Sequence, residues 1–396
     1  MKHPVALANH QTVRDAFPVL QDTVYLNVGT YGVMPQPALE HLLEVMREFE
    51  QRGVASAGGL GREVREAREK VAGLLGCDPD QITFTGNATD GTNLVLSGLP
   101  WEPGDEIVTT DEEHESIVHP LLHLQRCAGI RMRRVSVSPD PDVMLDRLGA
   151  VLSSRTKLIA FSHVTCETGT RLPARAICEW AAQKGVLSLV DGAQSLGVFA
   201  TSAPNLGCDF YTSNGHKWLS GPKGTGIFYA SPDSLPTLCP AHVGAGSLER
   251  ADVEDGTAEL WQTGRRFEFG TRASALLAGL GASLEWLESL GWASIEQYIA
   301  RMSGYLKSQI LERPYLHLLT PTGFAESSGL TTFSMEGWQA GEVSSLLRQQ
   351  ARIHVRVIPH YNAIRISTPC FCSERDIDKL MAALEGVHSQ PQESDA

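Results

Sequence analysis

The segment Asp209-Phe-Tyr-Thr-Ser-Asn-Gly-His-Lys-Trp-Leu-Ser-Gly-Pro-Lys-Gly-Thr-Gly226 sets Lys217 directly behind Gly215 and His216 and just ahead of a glycine-rich turn. A lysine amine in that context, rather than on a solvated helix face, is suited to form a Schiff base with a carbonyl compound. Upstream, Leu187-Ser-Leu-Val-Asp191 is an apolar run ending in an acid, followed by Gly192-Ala-Gln194. Ligands of open α/β sheets sit at the carboxyl ends of strands, so Asp191 is expected to project into such a crevice. The separation, 217 − 191 = 26 residues, lets the chain leave one strand and return along another, bringing both groups to one ligand. A carboxylate facing a heteroaromatic nitrogen keeps it protonated and makes the ring an electron sink. A third piece, Gly86-Asn-Ala-Thr-Asp-Gly-Thr-Asn93, reads as a turn that opens a helix, with hydroxyls and backbone N–H groups that can seat a phosphate.

Other suggestive patterns carry less. His114 and His119 superficially match a zinc-protease pair, but a spacing of five turns their rings about 140° apart on a helix, so no metal site is expected. Gly221, Gly224 and Gly226 precede a strand rather than open a helix, which is not a dinucleotide fingerprint. Lys223 reads as a solvated surface charge, Cys166 as an inert thiol, and Cys370 and Cys372 as packing residues.

The elements that must position these groups are legible as apolar runs alternating with amphipathic stretches. Strands are expected at Ile82–Thr85, Glu106–Thr109, Leu158–Ser162, Leu187–Val190 and Gly226–Tyr229, and helices at Glu63–Leu75, Ile117–Ala128 and Arg175–Lys184. That alternation predicts a mostly parallel α/β sheet. After about Thr271 the pattern changes to long helices (Ala275–Leu290, Ile295–Leu311), strands near Thr331–Met335 and His354–Val357, and a last helix Glu374–Leu384. The expected division is a large α/β domain over 15–270, a smaller α+β domain over 271–386 joined by the segment 1–14, and a disordered tail over 387–396.

The composition narrows the function classes. A net charge of −13 argues against a nucleic-acid binder, without forbidding a locally positive pocket for an anion. No run of about eighteen apolar residues occurs, so no membrane span is expected. Eight scattered cysteines and a start without a signal-peptide pattern lead to the expectation of a reduced, cytoplasmic protein.

Together these segments resemble the class V aminotransferases of pyridoxal-5'-phosphate (PLP) fold type I, which include cysteine desulfurases, cysteine C–S lyases and isopenicillin-N-epimerase-like proteins. The resemblance runs from Val24-Tyr-Leu-Asn-Val-Gly29 to Ile364-Arg-Ile-Ser367 and the last helix, and is most specific where Val190-Asp-Gly-Ala-Gln194 and Gly215-His-Lys217 occur together. It implies a large domain with a mostly parallel sheet of the seven-stranded type, PLP as cofactor, and a homodimer with shared active sites. Lys217 would hold PLP as a Schiff base, Asp191 would face the pyridine nitrogen, and His114 would stack on the ring. Gln194 would bond the cofactor's phenolic oxygen, with Thr89, Asp90 and His216 around the phosphate and Thr271 reaching the phosphate of the second subunit. Many relatives carry Ser or Thr three residues before the lysine; here Asn214 stands there, and Ser213 and the Asn214 amide are both candidates for that contact. Arg365 would clamp a substrate α-carboxylate, with Arg356 and Asn27 also at the substrate.

The reaction class implied is carbanion chemistry on an amino acid bound as an external aldimine. Cysteine desulfurases place an acceptor cysteine shortly before the carboxylate arginine, and Val355–Ile364 contains none. The expected activity is therefore C–S β-elimination on cysteine, cystine or a cysteine S-conjugate, with epimerase or aminotransferase activity as the alternative.

Overall fold

Residues 10–390 are described by the structure, a computed structural model. Seven strands form the main sheet: β1 (Ile82–Thr85), β2 (Glu106–Thr110), β3 (Arg131–Val135), β4 (Thr156–Ser162), β5 (Leu187–Asp191), β6 (Phe210–Asn214) and β7 (Gly226–Ala230). Their order is β1-β7-β6-β5-β4-β2-β3, with β7 antiparallel to both neighbours and the pairs among β2 to β6 parallel. Strands β2, β4, β5 and β7 read as largely apolar runs because both faces are covered. Val108, Ile159, Phe161, Val190, Tyr211 and Ile227 pack toward the helices Ala57–Leu75, Ala174–Gln183 and Ser274–Leu290. Their neighbours Ile107, Leu158, Ala160, Leu189, Phe210 and Phe228 pack toward the helices Ala88–Gly98 and Glu115–Ala128. The period-two alternation is present, but with no polar face to mark it.

A second sheet, antiparallel, joins β8 (Leu316–Leu318), β9 (Leu330–Met335), β11 (Ala363–Ser367) and β10 (Arg356–Ile358) in that order. Its core is shared with the helices Trp292–Leu311, Ala340–Ala351 and Glu374–His388. The single strand expected over His354–Val357 is in fact two. Ile353–His354 pairs in parallel with Val24–Tyr25, whereas Arg356–Ile358 pairs with β11, so the chain changes sheets at Val355.

Phe17, Val24, Leu26 and Val28 are buried in this second core, so the expected division at residue 15 does not coincide with the packing. The last helix also runs past its expected end. Val387 is buried and His388 stacks on Tyr315, which corrects the disordered tail over 387–390, while 391–396 lie outside the described residues, as do 1–9 of the expected N-terminal segment. Strand β3, with Arg131, Arg133 and Arg134 along it, escaped the pattern because it is a charged edge strand, a form that resists edge-to-edge pairing. The helix Gln36–Arg52 and the hairpin Leu248–Asp252/Thr257–Leu260 were also unanticipated.

Candidate active site

Asp191 is the last residue of β5 and is 4% exposed. Its Oδ1 accepts the Ala193 N–H at 2.8 Å and its Oδ2 accepts the Ser116 hydroxyl at 3.2 Å. Ser116 also ties in His114, because its N–H donates to His114 Nδ1 at 3.0 Å, making His114 the N-cap of the helix Glu115–Ala128. With Nδ1 accepting, the neutral ring carries its proton on Nε2. Partial burial, then the Lys217 charge, lowers the His114 pKa.

Lys217 lies in the turn between β6 and β7, 9% exposed, and its amine makes no hydrogen bond or ion pair among the described residues. Burial first, and then the Arg365 charge, lowers its pKa, while Asp191 works in the opposite direction. Gly32 crosses this turn so closely that a Cβ there would sit 2.2 Å from the Lys217 carbonyl oxygen, and the Gly32 N–H donates to the His216 carbonyl at 2.8 Å. Only glycine permits that approach. Lys223 is not merely solvated: its Nζ donates to the Gly32 carbonyl at 2.7 Å and helps hold the crossing.

The turn after β1 opens the helix Ala88–Gly98 with Asn87 as N-cap. The Thr89 hydroxyl is free of hydrogen bonds among the described residues, and His216 Nδ1 is buried without a partner. Burial, then the charges of Lys217 and Lys223, pushes the His216 pKa down to about 4, so this ring is neutral at ordinary pH. Asn214 Oδ1 accepts the Ala88 N–H at 3.0 Å, and the Ser213 hydroxyl donates to the Gly192 carbonyl at 3.1 Å. Asp90 is exposed, and its carboxylate accepts the Gly86 N–H at 2.8 Å, a brace of the turn. Thr271 lies in an exposed groove with Gly86, Asp90 and Gly224. Both ends of the Gln194 amide are engaged: Nε2 donates to the Gly29 carbonyl at 2.8 Å, and Oε1 accepts the Trp218 indole N–H at 2.9 Å.

At the other end, β11 carries Arg365, buried, with Nη1 donating to the Cys166 carbonyl at 2.5 Å and Nη2 to the Thr30 hydroxyl at 3.1 Å. Thr30 in turn donates to Asn27 Oδ1 at 2.7 Å, which places Asn27 beside the arginine. Arg365 Nε is buried with no partner. Burial pushes its pKa down to about 10, and Arg356, directly opposite in the β10–β11 register, adds to that. Two guanidinium groups on one face of a sheet, one with a free donor, form a seat for a carboxylate. Thr30, Ser116 and Trp218 were not anticipated; a lone hydroxyl or indole has no spacing signature, and these matter only through the residues they hold.

Behind His114, Glu113 is buried, accepting from the Thr110 hydroxyl at 2.6 Å, the Ser162 hydroxyl at 2.6 Å and the Ser162 N–H at 3.0 Å. Burial raises its pKa from 4.5 to about 7; the hydrogen bonds resist this and the Asp191 charge adds to it. A raised carboxyl pKa favours the fold most below the unfolded value, and that stability is lost as pH climbs through the folded value. The stability advantage of the wild type over Glu113→Gln is therefore expected to shrink between pH 4.5 and about 7. Unfolding temperatures of both proteins across that range check it; parallel curves would refute it.

The groups present fit PLP: an unengaged Lys217 amine, a buried Asp191 whose charge acts on that amine, the free Thr89 hydroxyl in the first turn of a helix, an unpartnered His216 ring nitrogen, and Arg365 with a spare N–H. The known proteins agree. The family profile described as Aminotransferase class-V matches residues 33–380. The chain is 30% identical to an isopenicillin N epimerase of Streptomyces clavuligerus, over 97% of this chain and 99% of that protein. It is also 30% identical to a probable cysteine desulfurase of Methanothermobacter thermautotrophicus, over 87% of this chain and 86% of that one. Among solved structures, a lysine-to-alanine mutant of C-DES with glycine covalently linked to its PLP cofactor superposes with a TM-score of 0.87 at 30% identity, covering 94% of this chain and 98% of that one. The cystine C–S lyase C-DES with its reaction product cysteine persulfide gives 0.86 at 30% identity, covering 93% and 98%. With that fold, and with profile and relatives spanning nearly its whole length, the chain belongs to the class V aminotransferase family and is a PLP-dependent enzyme.

Proposed function

We propose that this enzyme catalyses C–S β-elimination on cysteine, cystine or a cysteine S-conjugate. The observation that carries the reading is the turn Pro359–Tyr361 between β10 and β11, which is short and holds no cysteine. The thiol nearest in role is Cys166, and burial pushes its pKa up to about 12, so little of it is the thiolate that would attack substrate sulfur. A relative of the same type, C-DES, is described as a cystine C–S lyase. A PLP-dependent epimerase or aminotransferase is the second reading, favoured by the 30% identity to isopenicillin N epimerase over 97% of this chain.

PLP supplies the electron sink that stabilises negative charge at the substrate Cα. Lys217 would hold PLP covalently; the amine's lowered pKa leaves more of it neutral, and when free it would take the Cα proton at Nζ. Asp191 would keep the ring nitrogen protonated, and His114, fixed by its Nδ1 bond to Ser116, would cover the ring. Thr89 and His216 serve the phosphate, with Ser213 and Asn214 shaping that end through Gly192 and Ala88. Arg365 holds the α-carboxylate through its spare donor, with Asn27 positioning it through Thr30 and Arg356 opposite it. Thr271, exposed on a groove beside Gly86, is offered to a second copy in a homodimer.

Product analysis separates the readings. With cysteine or cystine, pyruvate and ammonia are expected in step with released sulfur, and Cys166→Ser should keep activity within about threefold, since a thiol pushed to about 12 is not the acceptor. Alanine as the main product, with activity lost in Cys166→Ser, would make it a desulfurase. Inertness toward every sulfur amino acid would favour the epimerase or aminotransferase.

A further inference from the structure

A buried carboxylate one residue removed from the Glu113–His114 pair connects the two sheets. Glu112 is 5% exposed; its Oε1 accepts the Tyr361 hydroxyl at 2.9 Å and its Oε2 accepts the Thr168 hydroxyl at 2.5 Å. Tyr361 belongs to the turn between β10 and β11, so this single contact ties the Arg365 hairpin to the loop that carries His114. Thr168 sits in the loop 164–171, whose Cys166 carbonyl is the acceptor that orients Arg365 Nη1. The same loop is fastened from the second sheet: the Thr320 hydroxyl donates to the Thr168 carbonyl and the Thr332 hydroxyl to the Glu167 carbonyl, each at 2.5 Å. His360, stacked on Tyr361, reaches Glu167 at 3.4 Å.

We propose that Tyr361 is a positioning residue for amino-acid binding, acting through Glu112 and Thr168 to hold the Cys166 carbonyl where it aims Arg365 at the substrate carboxylate. The inference rests on the reading of Arg365 as the carboxylate clamp. A desolvated carboxylate with two hydroxyl donors is a fixed point, because leaving either lone pair unpaired in a buried place is costly. Tyr361→Phe removes one donor without removing bulk. Glu112 then has one strong partner instead of two, and the loop it anchors acquires freedom where Arg365 needs its acceptor held still. The Arg365 guanidinium has no salt bridge to fall back on among the described residues, so its direction depends on the Cys166 carbonyl and the Thr30 hydroxyl alone.

The test uses the PLP-loaded enzyme and glycine, a ligand with a carboxylate and no side chain, titrated by the change in cofactor absorbance. Tyr361→Phe is expected to weaken glycine binding about tenfold, the range of one lost hydrogen bond to a charged group, and to raise KM for the reacting substrate with kcat changed less than about threefold. In a Glu112→Ala background the same substitution should add nothing, since its effect passes through that carboxylate. Arg365→Gln separates the two levels of the argument. If that variant loses glycine and Tyr361→Phe does not, or if Tyr361→Phe weakens binding equally with and without Glu112, the positioning role is overturned while the clamp stands. If Arg365→Gln binds glycine as the wild type does, the clamp reading fails instead. A fall in unfolding temperature with glycine affinity intact would mark Tyr361 as structural only and would also overturn the proposal.

Discussion

Lys217→Ala is expected to lower kcat by about 10³-fold or more and to abolish the cofactor adduct that borohydride fixes to the chain. Two functions are lost together. The amine is the proposed covalent anchor, and it is the only base proposed at Cα, a role that by itself is worth roughly 10² to 10⁴ in rate. The environment tells amine from charge. Lys217 is 9% exposed, and burial with Arg365 nearby lowers its pKa, which favours a neutral nucleophile over a cation. Lys217→Arg should therefore be as inactive as the alanine variant: it restores positive charge and length but has no amine that loses its proton near neutral pH. Peptide mapping after reduction provides the sharper readout, because Lys223 lies in the same glycine-rich turn and is the natural rival. Its amine is already committed to the Gly32 carbonyl, so the adduct is expected on Lys217 alone. An adduct on Lys223, or substantial turnover by Lys217→Ala, would overturn the assignment.

How much of this fold and site is legible in the sequence depends on which forces set each feature. The strands β2, β4 and β5 are legible because burial on both faces demands unbroken apolar runs, and Leu187–Asp191 also shows its functional end, an acid where the run stops, whereas β6 is not, because Thr212, Ser213 and Asn214 break its apolar run. Lys217 is legible from its Gly215-His216 context and the glycine-rich turn behind it; the structure adds that a Cβ at Gly215 would sit 2.3 Å from the Thr225 hydroxyl, a crowding that spacing alone does not show. The changeover at Val355 was not legible: two short strands with one residue between them have the same pattern as one. Nor was Val387 as a core residue, since a polar tail masks a single apolar position that the helix places on its buried stripe. The contacts that hold the site are the least visible of all. Thr30 to Arg365, Ser116 to Asp191 and Tyr361 to Glu112 join residues 335, 75 and 249 positions apart, and each is a single hydroxyl with no periodicity to announce it.

Asp191→Asn carries the second large effect. An asparagine fills the same volume, and its side-chain oxygen still accepts the Ala193 N–H that fixes the Oδ1 side of the group. The fold and the cofactor content should therefore persist, with the unfolding temperature close to that of the wild type. What disappears is the negative charge, buried at 4% exposure, that is proposed to hold the pyridine nitrogen in its cationic form. The charge acts most strongly when negative charge builds at the substrate Cα, so the loss belongs to kcat rather than KM, and about 10²-fold or more is expected, in line with removal of a preorganised electrostatic partner. The same charge raises the pKa of Lys217 and of His114, so its removal should move both downward. The acidic limb of the kcat profile, which reports the amine once substrate has displaced it, is then expected to shift to lower pH, which a purely steric defect would not cause. A variant with near wild-type kcat and an unmoved pH profile would show that the ring is activated by some other group. One with low kcat and lost cofactor would show instead that Asp191 serves binding. Low kcat at full cofactor occupancy with the acidic limb displaced is the combination that places the charge of Asp191 in the chemical step.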